Sequence, residues 1–437
     1  MFKLSPRPAA ALALILSTSA VLVAAAPAAS PEWPHWRGPN RDAVAQESGL
    51  LTKWPESGPP LAWKASGLGG GFSSLSISGG RVYTLGDRQG SQQVVAMSLA
   101  DGKIAWTAKV GPIWEDEYGG PRGTPTVDGD RVYALGTDGD LVCLQAATGK
   151  EVWRKNLARD FGGRVMSSWK WAESPLVDGD RLIVTPGAAG ATLAALDKKT
   201  GKEIWRAAVP SLGDKGRDGA GYSSVMISNG AGVKQYVQLT GRGLVSVRAQ
   251  DGKFLWGYNK VANDVANIPT PVVKDDYIFA STGYQTGSAL LKLSRSGEGV
   301  QAQEVYFLSS KTLQNHHGGL VLVGGHLYGG HGHNRGYPIC VEMASGKVAW
   351  GGEGGDVSHG GTGSAAVTAA DGHLYFRYQN GRVVLIEAKP QGYQVKGAFS
   401  VPDVHNPSWS HPVVAGGKLY LREQDNLYVY DLKAKPA

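Results

Sequence analysis

The sequence predicts an all-β chain folded as an eight-bladed β-propeller, in which four-stranded antiparallel blades stand around a central channel. Short runs rich in Val, Ile and Tyr alternate with Asp-Gly and Gly-Gly pairs, and long helical periodicity is nearly absent. Such runs are typical of β-strands joined by tight turns. A phrase ending in tryptophan recurs along the chain, and the last repeat lacks a strand that the N-terminal region supplies. Together these observations favour a closed ring of repeats over two separate domains.

The most regular feature is a phrase that ends in Gly-Lys, two variable residues and Trp. Five copies, 47, 52, 51 and 94 residues apart, end at Trp106, Trp153, Trp205, Trp256 and Trp350. The longest interval spans two periods. It contains a degenerate copy of the phrase that ends at Phe307, and another degenerate copy ends at Phe399. A period in the forties is the length of one propeller blade.

Each repeat is predicted to contain four short strands. The first two flank an Asp-Gly or Gly-Gly turn, as in TVDGDRVYALG, because glycine tolerates the positive φ that tight hairpins require. A third strand follows, and the Trp-bearing phrase forms the outermost strand. The eighth repeat, VVAGGKLYLREQDNLYVYDLK, stops after three strands, whereas PPLAWKAS near the N-terminus carries Trp63 in the outer-strand position. The N-terminal strand is therefore predicted to close the ring.

Four segments are predicted along the chain. They are a signal peptide at 1–28, an extension packing on the propeller at 29–60, the propeller at 61–432 and a tail at 433–437. Lys3 and Arg7 precede an apolar stretch of small residues and an Ala-Pro-Ala site before Ala29, the pattern of a secretory signal. An uncleaved membrane anchor is the alternative. No later run is long enough to span a membrane. The signal pattern predicts an exported protein, periplasmic or extracellular.

Charge and cysteine content exclude several classes of protein. The formal net charge is +7, and removing residues 1–28 takes away two positive charges and no acids, which leaves +5. The sequence has no Lys/Arg-rich cluster, which argues against a nucleic-acid partner. Cys143 and Cys340 are the only cysteines, so a disulfide framework and a cysteine-only metal site are excluded. We expect two buried thiols in a monomeric protein.

The phrase ALDKKTGKEIW resembles the tryptophan-docking repeat of pyrroloquinoline-quinone (PQQ) propellers, and the resemblance extends over residues 61–432. This superfamily contains the quinoprotein alcohol dehydrogenases and the assembly propeller BamB. The resemblance implies that the outer Trp residues are structural, with each ring packed against the Gly-Lys peptide of a neighbouring blade. It implies the fold and leaves the function open, because one fold hosts many functions.

The first functional hypothesis is a BamB-like binding and assembly scaffold with a polar pocket at the channel mouth. The resemblance implies protein partners, or carbohydrate, recruited by edges and face loops. The intact structural repeat favours this hypothesis, as does the absence of a Cys-Cys pair and of a haem motif from the sequence. No Cys directly follows the apolar N-terminal stretch, so the lipid anchor of BamB is not predicted.

The second hypothesis is a quinoprotein-like dehydrogenase that oxidises an alcohol or a sugar with PQQ and calcium. The resemblance implies that Glu173 and Asn267 hold the calcium ion and that Arg122 neutralises the quinone oxygens. The catalytic base would be His317 or His316, because imidazole titrates near neutral pH. The chain departs from this class in having a histidine pair where the third calcium ligand, an Asp, is expected.

Residues just before each inner strand are predicted to form the mouth of the channel. They differ from repeat to repeat, unlike the outer strands. They are Phe72, Arg122, Ala172, Tyr222, Ile268, His317 and Trp409, with Glu173, Asn267, Asn315, His316, His359 and His411 nearby. Concave sites with a few convergent polar groups bind ligands. The predicted cofactor-binding set is Arg122, Glu173, Tyr222, Asn267, Trp409 and His411. The alternative is a rim whose polar groups satisfy loop backbone and trapped water.

The third hypothesis is a metal-dependent enzyme, because histidines cluster in the sixth repeat. Its hairpin is predicted to turn at Gly324-Gly325 or one residue earlier. In both registers His316 shares a face with His331 and His333, and opposed Cβ atoms in a sheet are about 5 Å apart. These three histidines would then hold zinc or copper through imidazole nitrogens. The alternative is a polar rim of hydrogen-bonding histidines.

Overall fold

Glycine turns and β-branched runs build eight small sheets in this protein. The computed structural model describes residues 1–3, 31–352 and 358–433, and its sheets form eight antiparallel blades around a central channel. The predicted all-β, eight-bladed propeller is confirmed. Residues 4–30 and 434–437, which include nearly all of the predicted signal peptide and tail, lie outside the described part of the chain.

The strands are numbered in chain order. Two precede the first blade: β1 (Val44–Ala45) and β2 (Leu61–Ala65). Blade one contains β3 (Ser76–Ser78), β4 (Arg81–Arg88), β5 (Ser91–Ser98) and β6 (Ile104–Gly111). Blade two contains β7 (Thr126–Asp128), β8 (Arg131–Leu135), β9 (Asp140–Gln145) and β10 (Glu151–Asn156), followed by helix α1 (Leu157–Phe161). Blade three contains β11 (Leu176–Asp178), β12 (Arg181–Val184), β13 (Leu193–Asp197) and β14 (Glu203–Ala207).

The second half of the ring repeats this plan. Blade four contains β15 (Met226–Ser228), the 3-10 turn Gly230–Gly232, β16 (Gln235–Thr240), β17 (Gly243–Arg248) and β18 (Phe254–Tyr258). Blade five contains β19 (Val272–Lys274), β20 (Tyr277–Thr282), β21 (Gly287–Ser296) and β22 (Gly299–Ser309). Blade six contains β23 (Leu320–Val323), β24 (His326–His331), β25 (Tyr337–Glu342) and β26 (Val348–Gly351). Blade seven contains β27 (Ala365–Ala370), β28 (His373–Tyr378), β29 (Arg382–Lys389) and β30 (Gly392–Ser400). Blade eight contains β31 (Val413–Ala415), β32 (Lys418–Glu423) and β33 (Asn426–Asp431).

The N-terminal strand completes blade eight. β2 pairs antiparallel with β33, and Trp63 lies opposite Val429. The sheet order is β2-β33-β32-β31, so this blade reaches four strands only through that pairing. The closure predicted from the unfinished eighth repeat is confirmed. Because this blade joins β2 to the last three strands, the ring cannot open without breaking that sheet.

Turn glycines set the register of blade six. β23 pairs with β24 so that Val323 faces His326, which leaves a two-residue turn at Gly324-Gly325. The two glycines have φ values of 55° and 80°, which glycine adopts without the steric cost that a Cβ atom imposes. The first of the two predicted registers is therefore the one found.

The outer Trp side chains pack against glycines of the next blade. A Cβ atom added to Gly149 would lie 2.5 Å from the Trp106 ring, and one added to Gly201 would lie 2.8 Å from the Trp153 ring. The indole N–H of Trp106 also donates to the Ala146 carbonyl at 3.0 Å. A flat ring lying on a bare peptide leaves no room for a side chain at the glycine, which explains the glycine of the repeated phrase.

Two further positions extend this contact around the ring. Trp63 of the closing strand lies against Gly102 of blade one, where an added Cβ would be 2.7 Å from its ring. In blade five, Tyr306 and not Phe307 faces Gly346 of blade six, at 3.0 Å. In this degenerate copy of the phrase, the ring that packs on the glycine is therefore Tyr306, one residue before the Phe307 that the sequence alignment suggested.

The N-terminal extension crosses the centre of the ring. Trp33 exchanges two backbone hydrogen bonds with Ile77 in blade one, at 2.7 and 2.9 Å. Arg41 donates to the carbonyl of Ser174, just before blade three, at 2.9 Å. On the opposite side, β1 pairs in parallel with β27 of blade seven. From there the chain runs outward along blades seven and eight to reach β2.

Both cysteines are buried free thiols, as predicted for Cys143 and Cys340. Each lies on the third strand of its blade, in β9 and β25, inside the hydrophobic packing between blades. None of the helices in the described part of the chain has the length and apolar character needed to cross a membrane.

Candidate functional site

A cavity of about 310 Å³ lies at the mouth of the channel. The segments before the inner strands line it, together with Trp36 and Arg37 of the N-terminal extension. The predicted mouth residues that line it are Phe72, Arg122, Ala172, Tyr222, Ile268, His316, His317, Trp409 and His411. His333 also lines it, whereas Glu173, Asn267, Asn315, His331 and His359 do not. The structure therefore separates the predicted site residues into two groups.

Hydrogen bonds between neighbouring blades fix the mouth segments. Ser174 Oγ accepts from the backbone N–H of Thr124 at 2.9 Å, and Ser224 Oγ accepts from the N–H of Ser174 at 3.0 Å. Tyr222 stands two residues before Ser224, and Arg122 stands two residues before Thr124. This serine ladder thus holds the backbone beside two of the cavity-lining side chains.

His316 is held by hydrogen bonds on both ring nitrogens. Its Nε2 lies 3.0 Å from the hydroxyl of Tyr284, and its Nδ1 lies 2.7 Å from Oγ of Ser364. Ser364 donates its own proton to Oδ1 of Asn334 at 3.1 Å, so the proton shared by Ser364 and His316 belongs to Nδ1. The Nε2 lone pair therefore accepts from Tyr284. The network ends at an amide oxygen, which accepts a hydrogen bond without taking up a proton.

His333 packs beside His316, with ring centroids 4.1 Å apart. Its Nδ1 accepts from the backbone N–H of Tyr284 at 3.3 Å, which leaves the proton of the neutral ring on Nε2. Tyr284, Gln285 and His333 have φ values of 55°, 62° and 47°. Non-glycine residues rarely adopt this region, and such strain clusters at binding and catalytic sites. This side of the cavity is therefore its most constrained wall.

His317 and His411 form the neighbouring wall. Nε2 of His411 donates to the carbonyl of His317 at 3.1 Å, and its ring lies 4.5 Å from that of Trp36. Nε2 of His317 and Nδ1 of His411 are buried without a hydrogen-bond partner among the residues that the structure describes. Buried polar atoms are normally paired, so these two nitrogens are available to a ligand or to water.

Burial keeps these imidazoles neutral. It lowers the pKa of His316 to about 3, and His333 beside it adds to the shift. It also lowers the pKa of His411 to about 3, with a further contribution from Arg37. The pKa of His317 lies well below its usual range, because of burial first and of the His316 ring second. At neutral pH the histidines of the cavity act as hydrogen-bonding groups without charge.

Arg122 supplies positive charge at the edge of the cavity. Its guanidinium lies over the ring of Trp114 at 4.7 Å and over that of Phe72 at 5.4 Å. It donates to the backbone carbonyls of Tyr118 and, at 3.3 Å, of Gly120. Burial lowers its pKa to about 10, so the group is still charged at pH 7.

Glu173 and Asn267, which the resemblance implied as calcium ligands, are used inside the protein. The Glu173 carboxyl accepts from the N–H of Thr185 at 2.7 Å and from its hydroxyl at 2.9 Å, and burial raises its pKa to about 8. Asn267 donates to the carbonyls of Thr240 and Gly241, both at 3.0 Å. Since neither residue lines the cavity, this pair does not fit a calcium-bound quinone there.

His331 does not join His316 and His333 in the cavity. β24 ends at His331, and Gly332 follows with a φ of 87°, so the strand alternation that would align His331 with His333 is lost. Nδ1 of His331 accepts from the N–H of Gln314 at 3.2 Å. In residues 31–352 and 358–433, no three His, Cys, Asp or Glu side chains are arranged to hold a metal ion. The zinc or copper site stays a prediction without geometric support.

Sequence reasoning missed Trp36, Tyr284 and Asn334. Trp36 belongs to the extension, which has no repeat to align, and its indole N–H donates to Oγ1 of Thr270 at 3.1 Å. Tyr284 stands in the turn between β20 and β21, in the stretch STGYQTG. A large aromatic residue at the tip of a tight turn is the signal that would have found it, because turns favour small and polar residues.

Curated relatives of this chain are assembly factors. BamB of Burkholderia pseudomallei is 27% identical over 164 residues, which cover 38% of this chain and 35% of that protein. BamB of Kangiella koreensis is 26% identical over 215 residues, which cover 44% of this chain and 46% of that protein. The chain therefore aligns with less than half of the length of these relatives.

Solved structures share the fold at low identity. BamB of Moraxella catarrhalis aligns with a TM-score of 0.60 at 14% identity, covering 86% of this chain and 100% of that one. The quinohemoprotein alcohol dehydrogenase of Comamonas testosteroni aligns with a TM-score of 0.63 at 13% identity, covering 93% and 81%. At such identities the likeness shows the propeller fold alone.

The family is decided by a match over most of the ring. A family model with the description "Outer membrane protein assembly factor BamB" matches residues 90–352, more than half of the chain. That range runs from β5 in blade one to β26 in blade six. The chain belongs to this BamB family of PQQ-like repeat β-propellers.

Proposed function

We propose that the protein is an exported, BamB-like binding and assembly scaffold that carries a small-ligand pocket at its channel mouth. Family membership supports the scaffold role, because the curated relatives are outer membrane protein assembly factors. Protein partners are therefore the first class of partner to test, and carbohydrate is the second. The predicted signal peptide at residues 1–28 supports a periplasmic or extracellular site of action.

The observation that carries the non-catalytic part of this proposal is the neutral wall of the cavity. General acid–base catalysis needs a group that exchanges a proton near the working pH. Burial instead lowers the pKa of His316 and His411 to about 3. The network through His316 ends on the amide oxygen of Asn334. Such a wall fixes donors and acceptors in place, which suits binding better than proton transfer.

The outer strands offer a surface for protein partners. Ile104, Val152 and Ile204 lie on the outermost strands β6, β10 and β14 of three consecutive blades, and they are 36, 40 and 45% exposed. An outermost strand has one unpaired edge, which another chain can extend by backbone hydrogen bonds. Exposed apolar side chains on such edges support a role in protein recruitment.

The rival hypotheses have less support. A PQQ-dependent dehydrogenase needs calcium ligands at the mouth, and Glu173 and Asn267 are engaged elsewhere. A metal-dependent enzyme needs His331 beside His316 and His333, and the turn at Gly332 takes His331 out of line with His333. A catalytic base needs a pKa near neutral pH, and burial lowers the pKa of both His316 and His317 well below that range.

The scaffold role is tested by deletion and complementation in the native host. We expect deletion of the gene to lower the abundance of outer membrane proteins, measured by quantitative mass spectrometry of isolated membranes. The full chain should restore them. A chain lacking residues 2–28 should not, because it stays inside the cell. Tyr284→Phe, which removes one hydrogen bond at the mouth, should restore them, because partners bind the exterior.

Two results would contradict the proposal. Unchanged outer membrane protein levels after deletion would remove the assembly role. Failure of Tyr284→Phe at normal protein abundance would move the function from the exterior to the cavity. Tyr306→Phe, which removes one tyrosine hydrogen bond outside the cavity, to the carbonyl of Met343, is the matched control.

A further inference from the structure

The charged side chains that line the cavity in the described part of the chain are all positive. Within the described ranges 31–352 and 358–433 it is lined by two arginines and by no Asp or Glu. Arg37 is only 5% exposed and donates to the carbonyls of Leu320 and Asp42, whereas Arg122 is partly exposed and so can be reached by a ligand. The described part of the cavity wall therefore offers positive charge without an acidic counterpart. Arg122 is the cation that a ligand in the cavity can reach.

Arg122 keeps hydrogen-bonding capacity for a ligand. A guanidinium has five N–H donors, and the two hydrogen bonds that Arg122 makes in the described chain go to backbone carbonyls. Burial lowers the Arg122 pKa, and the nearby Tyr222 and Asp116 raise it less strongly. Arg122 and Asp116 form no ion pair in the part of the chain that the structure covers. A half-buried cation without a bound carboxylate in the described chain is a strong site for an anion, since charge-assisted bonds are the stronger ones.

Flat apolar surfaces continue from this cation into the cavity. The ring of Phe72 lies beside Arg122, and its centroid is 4.7 Å from that of Trp409. The ring centroids of Trp409 and His317 are 4.9 Å apart. Aromatic rings prefer offset or edge-to-face contacts at such distances. A flat ring of a ligand would find the same contacts, so the wall suits an aromatic body attached to the anionic group.

An unpaired nitrogen stands on the same wall. Nε2 of His317 is buried and has no hydrogen-bond partner among the residues covered by the structure. The ring is neutral, so it donates one hydrogen bond when its proton is on that nitrogen. This atom and the Arg122 guanidinium together would give a carboxylate two kinds of donor.

We propose that the channel-mouth cavity binds a flat aromatic monocarboxylate without a metal ion, with the carboxylate on Arg122 and the ring against Phe72 and Trp409. The inference rests on the ligand pocket of the proposed function and adds the chemical class of its ligand. The size agrees, because the cavity measures about 310 Å³ and small-molecule sites begin at about 300 Å³.

The test compares 1-naphthoate with 1-naphthamide, which have the same ring and similar shape and differ in charge. Binding to the purified protein is measured by isothermal titration calorimetry at pH 7.5 in EDTA. We expect naphthoate to bind about tenfold or more tightly than naphthamide, because only naphthoate forms charge-assisted bonds. Arg122→Gln should weaken naphthoate binding by a similar factor and abolish the preference. Arg159→Gln, an exposed arginine on α1, is the matched control and should bind as the unaltered protein does.

Several outcomes would overturn the inference. They are equal affinities for the two probes, no binding of naphthoate, naphthoate binding that requires added calcium, and naphthoate binding that Arg122→Gln leaves unchanged. The comparison of the two probes uses the unaltered protein, so it stands even if the Arg122 variant fails to fold. Complementation of outer membrane protein levels reports on the scaffold role independently, so failure here and failure there are distinguishable.

Discussion

The outer strands and the channel mouth of this propeller are built from the same eight repeats, yet they follow different rules. At the periphery one contact recurs, in which the Trp ring of one blade lies on a glycine of the next, as between Trp106 and Gly149. At the mouth the equivalent position differs from blade to blade, for example Arg122 in blade two and Tyr222 in blade four. The outer strands therefore repeat one contact between blades, whereas the channel mouth varies its side chains from blade to blade.

The difference follows from what each surface has to do. Each blade must bury the face of its neighbour, and the same interface can serve every pair of blades. A ligand in the channel has no eightfold symmetry, so its contacts must differ from blade to blade. The strained turn at Tyr284 and the unpaired nitrogen of His317 both lie at the variable surface.

The largest expected effect is at the repeated surface, with Gly149→Ala. Its Cβ would lie 2.5 Å from the Trp106 ring at a φ of 73°, so steric overlap of about 1–3 kcal/mol adds to a backbone cost of about 1–2 kcal/mol. We expect the free energy of unfolding in urea to fall by about 2–5 kcal/mol.

Gly129→Ala in the same blade is the control, because its φ is 56° and no atom lies within 4 Å of the new Cβ. It should lose only the backbone cost of about 1–2 kcal/mol. Equal losses for the two variants would show that the ring contact does not stabilise the assembly of blades.

An intermediate effect is expected for the two kinds of tryptophan. Trp36→Ala removes a ring from the cavity wall and the bond to Thr270, and Trp350→Ala removes a peripheral ring bonded to the carbonyl of Lys389 at 2.7 Å. Both should lower the free energy of unfolding, by about 2–4 kcal/mol. Calorimetric titration with 1-naphthoate should show weakened binding for Trp36→Ala alone. Equal binding losses in both variants would erase the distinction between the two surfaces.

The last effect is spread over several pH units and concerns the buried carboxyl of Glu173, whose pKa rises from 4.5 to about 8 through burial. Between those values the folded protein binds a proton that the unfolded chain does not. The resulting stability is complete below pH 4.5 and declines as pH rises through about 8, by at most ~1.4 kcal/mol per pH unit. Glu173→Gln resembles the protonated acid, so urea titrations from pH 5 to 8 should show a shallower decline.

Glu151→Gln is the control for that titration, because Glu151 is an exposed residue on the outer strand β10. It should keep the pH dependence of the unaltered protein. An unchanged slope in the Glu173 variant would mean that this carboxyl is already ionised in the folded state.

Much of the fold could be predicted because the repeat is local and periodic. The Trp spacing gave the blade length, the Gly-Gly pairs gave the hairpin turns, and the missing last strand gave the closure through Trp63. The candidate site was predicted in part. Arg122, His317 and Trp409 line the cavity because the mouth position can be read by aligning the repeats.

Sequence alone determined the all-β class, the number of blades, the closing strand and the positions that face the mouth, because each depends on patterns that recur along the chain. Only the tertiary structure decided which polar groups stay free. Glu173 and Asn267 stand at mouth positions in sequence, yet partners from neighbouring segments occupy them. Trp36 enters the cavity from a segment without a repeat. Hydrogen bonds between distant residues depend on distances in space, and sequence spacing does not contain them.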